Sequence, residues 1–150
     1  MLNKNIETFM GCEADYNEAE TVLFGAPFDS TTSYRPGTRF GSSAIRRESY
    51  GIESYSPYQD KDLYDGAVMD SGDLELCFGD TKQALDAIQE RTEQILLDGK
   101  RPFLLGGEHL VTLGAVRAVA KYYPEVSIIH FDAHAVILYN LMNLTAYKSY

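Results

Sequence analysis

Cysteine is scarce in this sequence, which contains only Cys12 and Cys77. Two cysteines this far apart do not form a disulfide framework, so they are expected to be reduced thiols in a cytoplasmic protein. Long hydrophobic runs are missing as well. No stretch reaches the roughly 18 apolar residues of a membrane-spanning helix, and the N-terminus lacks the apolar region of a signal peptide.

Basic residues are also in deficit, with 13 Lys and Arg against 22 Asp and Glu and a net charge of −9. Nucleic acids and anionic membranes bind basic surfaces, so neither is expected as a partner. The remaining composition, 45% hydrophobic and 23% charged, is that of an ordinary globular protein. A chain of 150 residues is long enough for one domain with a sizeable core.

Short apolar runs alternate with amphipathic stretches. The apolar runs predict strands at 21–25, 102–107 and 126–131, with a further short strand within 67–76. The clearest helix spans 80–99, where Asp80 is a candidate N-cap and Gly99 suits a left-handed C-terminal cap. Other helices are expected at 108–123 and from near Ser42 or Ser43, either of which could be the N-cap. This alternation predicts right-handed βαβ units and a three-layer α/β/α fold with a mainly parallel sheet.

Polar side chains follow the last two predicted strands. The first of these strands leads into Glu108 and His109, and the second leads into Asp132 and His134. Ligands of open parallel sheets bind at the carboxyl ends of the strands, so these side chains are expected to share one crevice if the strands are neighbours. Asp132 and His134 are two residues apart and therefore point to the same face of an extended backbone. Two imidazoles and a carboxylate are ligands that a divalent transition metal accepts.

Other polar residues allow plainer interpretations. His130 shares the face of Asp132; it is either an ordinary hydrogen-bonded histidine or a residue that orients a metal ligand. Glu108 fits the first turn of a helix, where its charge favours the helix dipole. Ion pairing within or between subunits is the favoured role of a locally basic group, Arg35, Arg39, Arg46 and Arg47. No glycine pattern indicates a nucleotide site, and no arrangement of residues indicates a Ser-His-acid triad.

Several motifs together resemble the ureohydrolase (arginase and agmatinase) family, with the bacterial agmatinase branch most similar. They are "GAPFDSTTSYRPGTRFGSSAIR", "DSGDLEL", "LLGGEH" and "IIHFDAHA", in this order. The resemblance implies an arginase-like α/β fold longer than this chain and two manganese ions sharing a bridging hydroxide. It also implies hydrolysis of a guanidino compound, agmatine, to putrescine and urea. By the same resemblance, His109 ligates one manganese ion, Asp132 bridges both and His134 ligates the other.

The sequence departs from the family directly after these residues. The family motif continues as D-A-H-x-D, whereas position 136 is Val136, which has no donor atom. Further carboxylate ligands, a proton-shuttling histidine and substrate-binding residues would lie beyond Tyr150. One manganese ion or none is therefore expected here, and the chain alone is expected to be inactive. The alternative is a non-catalytic metal-binding or interaction module derived from the fold. Because the family forms trimers and hexamers, a homo-oligomer is also a candidate state.

The last residues differ in composition from the rest. All 22 acidic residues lie within 1–135, and Lys148 is the only charged residue of 136–150. We therefore expect 1–135 to be the N-terminal part of an agmatinase-like ureohydrolase domain and 136–150 to be an atypical tail. The tail is either a native terminal segment or, as we favour, the product of a reading-frame slip after Ala135 in an A/T-rich gene.

Overall fold

Three parallel strands form the centre of the fold. The structure, a computed structural model, describes residues 2–132. Its strands and helices are, in chain order, β1 (Thr21–Ala26), α1 (Gly41–Ser49), β2 (Tyr55–Ser56), β3 (Lys61–Asp62), β4 (Val68–Asp73), α2 (Thr81–Leu97), β5 (Arg101–Gly106) and α3 (Val111–Tyr122). Two short 3-10 turns, Thr38–Phe40 and Leu63–Asp65, precede α1 and β4.

The sheet has β1 at its centre. Strands β4 and β5 flank it, and both pairs are parallel, with Thr21 opposite Val68 on one side and Arg101 on the other. Every residue of β1 after Thr21 is buried, because a central parallel strand is covered on both faces. Strands β2 and β3 form a separate antiparallel pair. The strands predicted at 21–25, within 67–76 and at 102–107 are confirmed.

Helices cover both faces of this sheet. One buried cluster joins alternate residues of β1 to α2 and α3, and it contains Val22, Phe24, Ile88, Ile95 and Val111. Side chains alternate in direction along a strand, so Gly25 faces the opposite side. A Cβ atom on Gly25 would come within 2.9 Å of the Ser42 side chain in α1. The predicted α/β/α layering is therefore confirmed.

Helix α2 begins and ends as its sequence predicts. The Asp80 carboxylate accepts a hydrogen bond from the backbone N–H of Gln83 at 2.9 Å, which satisfies one of the free donors of the first turn. Gly99 has φ of 72°, a left-handed conformation that glycine adopts without a Cβ clash.

Among residues 2–132, no helix combines the length and hydrophobicity that crossing a bilayer requires.

The start of α1 differs from the prediction. The helix forms where expected, but the residue at its N-cap is Phe40, which makes no side-chain capping bond. Ser42 is fully buried and instead donates its hydroxyl hydrogen bond to Asp73 Oδ2 at 2.9 Å. The expectation that Ser42 or Ser43 caps the helix was wrong because α1 continues directly from a 3-10 turn and its serine is needed at the end of β4.

The segment 126–131 was predicted as a third buried strand, and this prediction was wrong. The structure assigns it no strand, and the side chains of Ile129 and Phe131 are 82% and 96% exposed. An apolar run becomes a strand only when a neighbour pairs with its backbone and other elements cover its faces. Within residues 2–132, β5 has no strand paired on the side away from β1. The hydrophobic pattern alone did not reveal this.

The opposite edge of the sheet is covered by the N-terminal segment. Backbone hydrogen bonds run from Asn5 N to Asp70 O at 2.9 Å and from Asp70 N to Cys12 O at 2.9 Å. They place Cys12 in the core, where burial, followed by the nearby charge of Asp70, raises the pKa of its thiol to about 11. Cys77, by contrast, is exposed.

The two thiols are expected to react at very different rates with Ellman's reagent at pH 8. Cys77 should react quickly, and Cys12 should react only after the chain is unfolded, because only the thiolate is nucleophilic. Above pH 9 the unfolded state would lose the Cys12 proton while the folded state keeps it, so stability should fall as the pH rises from 9 toward 11. Cys12→Ala should reduce this dependence and leave the part due to Tyr16, whose pKa burial and the hydrogen bond to Asp98 raise to about 12. Rapid reaction of two thiols in the native chain would contradict the account.

Candidate functional site

The site lies where the chain leaves β1 and β5, at the carboxyl edge of the sheet. Gly107 follows β5 and lies against the backbone that follows β1: a Cβ atom there would be 2.3 Å from Phe28 O and 2.7 Å from Ala26 O. Glu108 N then donates to Phe28 O at 2.9 Å. Glycine at position 107 is therefore needed to bring Glu108 and His109 beside the loop after β1.

His109 and Asp132 meet at this edge. His109 Nε2 lies 2.8 Å from Asp132 Oδ2. The His109 side chain is 65% exposed and the Asp132 side chain 10%. The expected proximity of these two residues is confirmed although 126–131 is not a strand. Their role as metal ligands stays a prediction, and His134 lies outside the described residues.

His130 adds a second imidazole beside the same carboxylate oxygen. Its Nε2 atom lies 3.3 Å from Asp132 Oδ2, as expected for residues two apart in extended backbone. One carboxylate oxygen thus lies between two imidazole nitrogens. Within residues 2–132, no group of three or more His, Cys, Asp or Glu side chains has the arrangement of a metal site. Imidazole nitrogen and carboxylate oxygen are ligands that a transition metal accepts, but the described residues alone do not complete a metal site.

A cavity of about 700 Å³ opens beside these residues, a size typical of small-molecule sites. The segment 106–113 forms one side of its lining, together with Asp132. The loop after β1 contributes a set of neutral, mostly hydroxyl-bearing side chains: Thr31, Thr32, Ser33, Tyr34 and Thr38. This wall can offer hydrogen bonds to a polar ligand without adding charge.

Asp29 holds the base of that loop, a role that no local sequence pattern indicated. Its buried carboxylate accepts hydrogen bonds from Gly37 N at 2.6 Å and from Arg39 Nε at 2.9 Å, and Arg39 Nη2 lies 2.7 Å from Oδ1. The hydrogen bond from Arg39 holds the pKa of Asp29 below its usual value. The ion pairing expected of Arg39 is confirmed, within the chain.

Glu108 holds the same loop from the other side. Its carboxylate accepts a hydrogen bond from Thr31 N at 3.0 Å and another from Thr31 Oγ1 at 2.8 Å. The expectation that Glu108 sits in the first turn of a helix was wrong, because α3 begins only at Val111. A contact between residues so far apart in sequence leaves no local pattern from which it could have been found.

A buried ion cluster supports the sheet behind the site. Arg46 Nε lies 2.7 Å from Asp70 Oδ2, and Arg46 Nη2 lies 3.0 Å from Asp70 Oδ1. Arg46 also pairs with Asp73 at the end of β4. Arg46 and Asp70 are both almost fully buried. The ion pairing expected of Arg46 is confirmed, and it joins α1 to β4.

The parallel α/β sheet with imidazole and carboxylate groups at its carboxyl edge places the chain among α/β proteins whose ligand sites lie at that edge. A family model described as the arginase family matches residues 19–139. The chain belongs to the arginase family.

Individual relatives agree with this assignment. The chain is 48% identical over 128 residues to agmatinase of Bacillus subtilis, an alignment that covers 85% of this chain and 44% of that protein. It superposes on a presumed agmatinase from Clostridium difficile with a TM-score of 0.83 and 43% identity, over 87% of this chain and 52% of the other. For proclavaminate amidino hydrolase from Streptomyces clavuligerus the TM-score is 0.77 and the identity 35%, over 87% of this chain and 44% of the other. The chain thus spans about half the length of the relatives it matches.

Proposed function

We propose that this chain carries one part of an agmatinase-type site, in which agmatine is hydrolysed to putrescine and urea. The observation that carries the proposal is the contact of 2.8 Å between His109 Nε2 and Asp132 Oδ2 at the rim of the cavity. The names of the relatives support the substrate: the similar proteins of Bacillus subtilis and Clostridium difficile carry the agmatinase name.

Manganese is the proposed metal, with His109, Asp132 and His134 as the residues that would hold it. When bound, it would supply a Lewis acid and a water molecule of lowered pKa, which the poorly electrophilic guanidinium carbon requires. Asp132 would contribute negative charge and, with His109 Nε2 at 2.8 Å, would keep that imidazole directed at the shared centre. His130, at 3.3 Å from the same oxygen, would fix the orientation of the carboxylate.

Turnover by the 150-residue chain alone is not part of the proposal. Val136 stands where the family has a ligating aspartate, and hydrocarbon cannot coordinate a metal. Three protein donors suffice for one metal ion with open positions, and the family's second ion would lack ligands. We therefore propose one bound manganese ion or none, and no urea release from this chain by itself.

The proposed partners follow from the same site. The ligand would be a small guanidino compound, with agmatine first, in a cytoplasmic protein for which a homo-oligomer is a candidate state. The net charge of −9 favours a cationic ligand over nucleic acid.

A manganese titration followed by electron paramagnetic resonance tests this proposal. Free aqueous Mn²⁺ gives a six-line signal that weakens on binding, so the bound fraction can be read directly. We expect at most one Mn²⁺ per chain, and His109→Ala should weaken binding roughly tenfold or more. Glu90→Ala, on the exposed face of α2, is the matched control and should bind like the parent chain.

Three outcomes separate the alternatives. Binding that depends on His109 without urea release from agmatine supports the proposal. Urea release by the chain alone would show that three donors suffice and would contradict the predicted inactivity. Manganese binding that is unchanged in His109→Ala would remove His109 from the site and leave only an interaction module.

A further inference from the structure

The Glu108 carboxylate bonds the cavity-lining loop after β1 to the segment that carries His109. Glu108 accepts two hydrogen bonds from Thr31, one from its backbone N–H at 3.0 Å and one from its hydroxyl at 2.8 Å. Both oxygens of the carboxylate are used, so the contact fixes direction as well as distance. Glu108 is also the residue directly before His109.

The other bonds at that end of the loop are local to its first turn: Thr32 Oγ1 and Thr32 N donate to Asp29 O at 3.0 Å and 3.4 Å. Its buried anchor, Asp29, binds Gly37 and Arg39 at the far end of the loop. Thr31 itself is exposed, as is the stretch 33–36. A segment with exposed side chains and few buried apolar contacts opens readily, and its position then depends on individual hydrogen bonds.

We propose that Glu108 is a positioning residue, which holds the segment 30–38 as the wall of the cavity beside His109. Through Glu108, the backbone that carries His109 and the wall that a ligand would touch move together. A consequence of this role rests on the proposed function. Manganese bound at His109 would further order the segment 30–38, because fixing residue 109 also fixes the carboxylate bound to Thr31.

Hydrogen–deuterium exchange of the metal-free chain tests the proposal directly. In Glu108→Ala, which removes both acceptors, amides of 30–38 should exchange roughly fivefold faster, and in Thr31→Val, which removes the hydroxyl alone, they should exchange faster by a smaller factor. Peptides from β1 and α2 should be unchanged. Thr31→Ser keeps the hydroxyl and should give the parent rate. Glu90 is an exposed glutamate of α2, and Glu90→Ala should have no effect.

Combining the two changes distinguishes a direct contact from general loosening. The double variant Glu108→Ala, Thr31→Val should exchange no faster than Glu108→Ala alone, because that change already removes both bonds to Thr31. Equal exchange of 30–38 in the parent and in Glu108→Ala would overturn the proposal, as would additive effects or failure of Thr31→Ser to restore protection.

A second arm adds Mn²⁺ to the same samples. In the parent chain Mn²⁺ should slow exchange of 30–38, and in Glu108→Ala this protection should be lost although Mn²⁺ still binds. Equal protection in both would contradict the coupling. The metal-free comparison decides the role of Glu108 even if Mn²⁺ fails to bind. That failure would refute only the metal-dependent ordering of 30–38, which rests on the proposed function.

Discussion

Replacing Arg46 with alanine is expected to destabilise the fold by about 3–5 kcal/mol. Arg46 is 2% exposed and Asp70 is fully buried, with Arg46 Nε 2.7 Å from Asp70 Oδ2. Removing the guanidinium leaves a buried carboxylate without its counter-charge, and the cost of that desolvated charge exceeds the loss of a surface pair. Asp70 also accepts the Phe9 N–H at 2.9 Å, so the N-terminal segment should loosen as well.

Arg47 offers a matched control on the same helix. It is exposed, so Arg47→Ala should change the free energy of unfolding by no more than about 0.5 kcal/mol. Urea unfolding followed by circular dichroism measures both variants against the parent chain. Equal stability of Arg46→Ala and Arg47→Ala would show that the buried cluster does not hold α1 to β4.

Replacing Gly107 with alanine should have the second large effect. A Cβ atom at this position would lie 2.3 Å from Phe28 O, 2.7 Å from Ala26 O and 2.9 Å from Phe28 N. All three atoms belong to the backbone, which cannot rotate away as a side chain can. We expect a loss of about 1–3 kcal/mol in unfolding free energy. We also expect weaker Mn²⁺ binding, because the chain after residue 107 carries His109.

The neighbouring glycine provides the comparison. A Cβ atom on Gly106 would lie 3.2 Å from the Cγ2 atom of Val111, a side chain that can shift. Gly106→Ala should therefore cost less than Gly107→Ala in unfolding free energy. Similar costs for the two substitutions, or Mn²⁺ binding that survives Gly107→Ala unchanged, would contradict the close approach of the two loops.

Local patterns were sufficient for much of the fold. Helix α2 has its own N-cap in Asp80 and its own left-handed glycine in Gly99, so its ends could be predicted without knowing what it packs against. The buried strand β1 has an unbroken apolar run after Thr21. These signals are properties of short stretches, and the structure confirms them.

Long-range contacts could not be predicted from such patterns. Glu108 and Thr31 are joined across 77 residues of sequence, and no periodicity connects them. The segment 126–131 has the composition of a buried strand, but among the described residues no partner pairs with it. The proximity of His109 and Asp132 was predicted from two neighbouring parallel strands, and the two side chains do lie 2.8 Å apart. Asp132 follows no strand in the structure, so the prediction was right about the contact and wrong about the element that carries Asp132.

A chimera tests the central claim most directly. Residues 19–132 of this chain would replace the equivalent segment of Bacillus subtilis agmatinase, to which the chain is 48% identical, and urea release from agmatine would be measured with added Mn²⁺. The account predicts that the chimera hydrolyses agmatine and that His109→Ala within it abolishes activity. A folded chimera that releases no urea, or one that keeps its activity with His109→Ala, would contradict it.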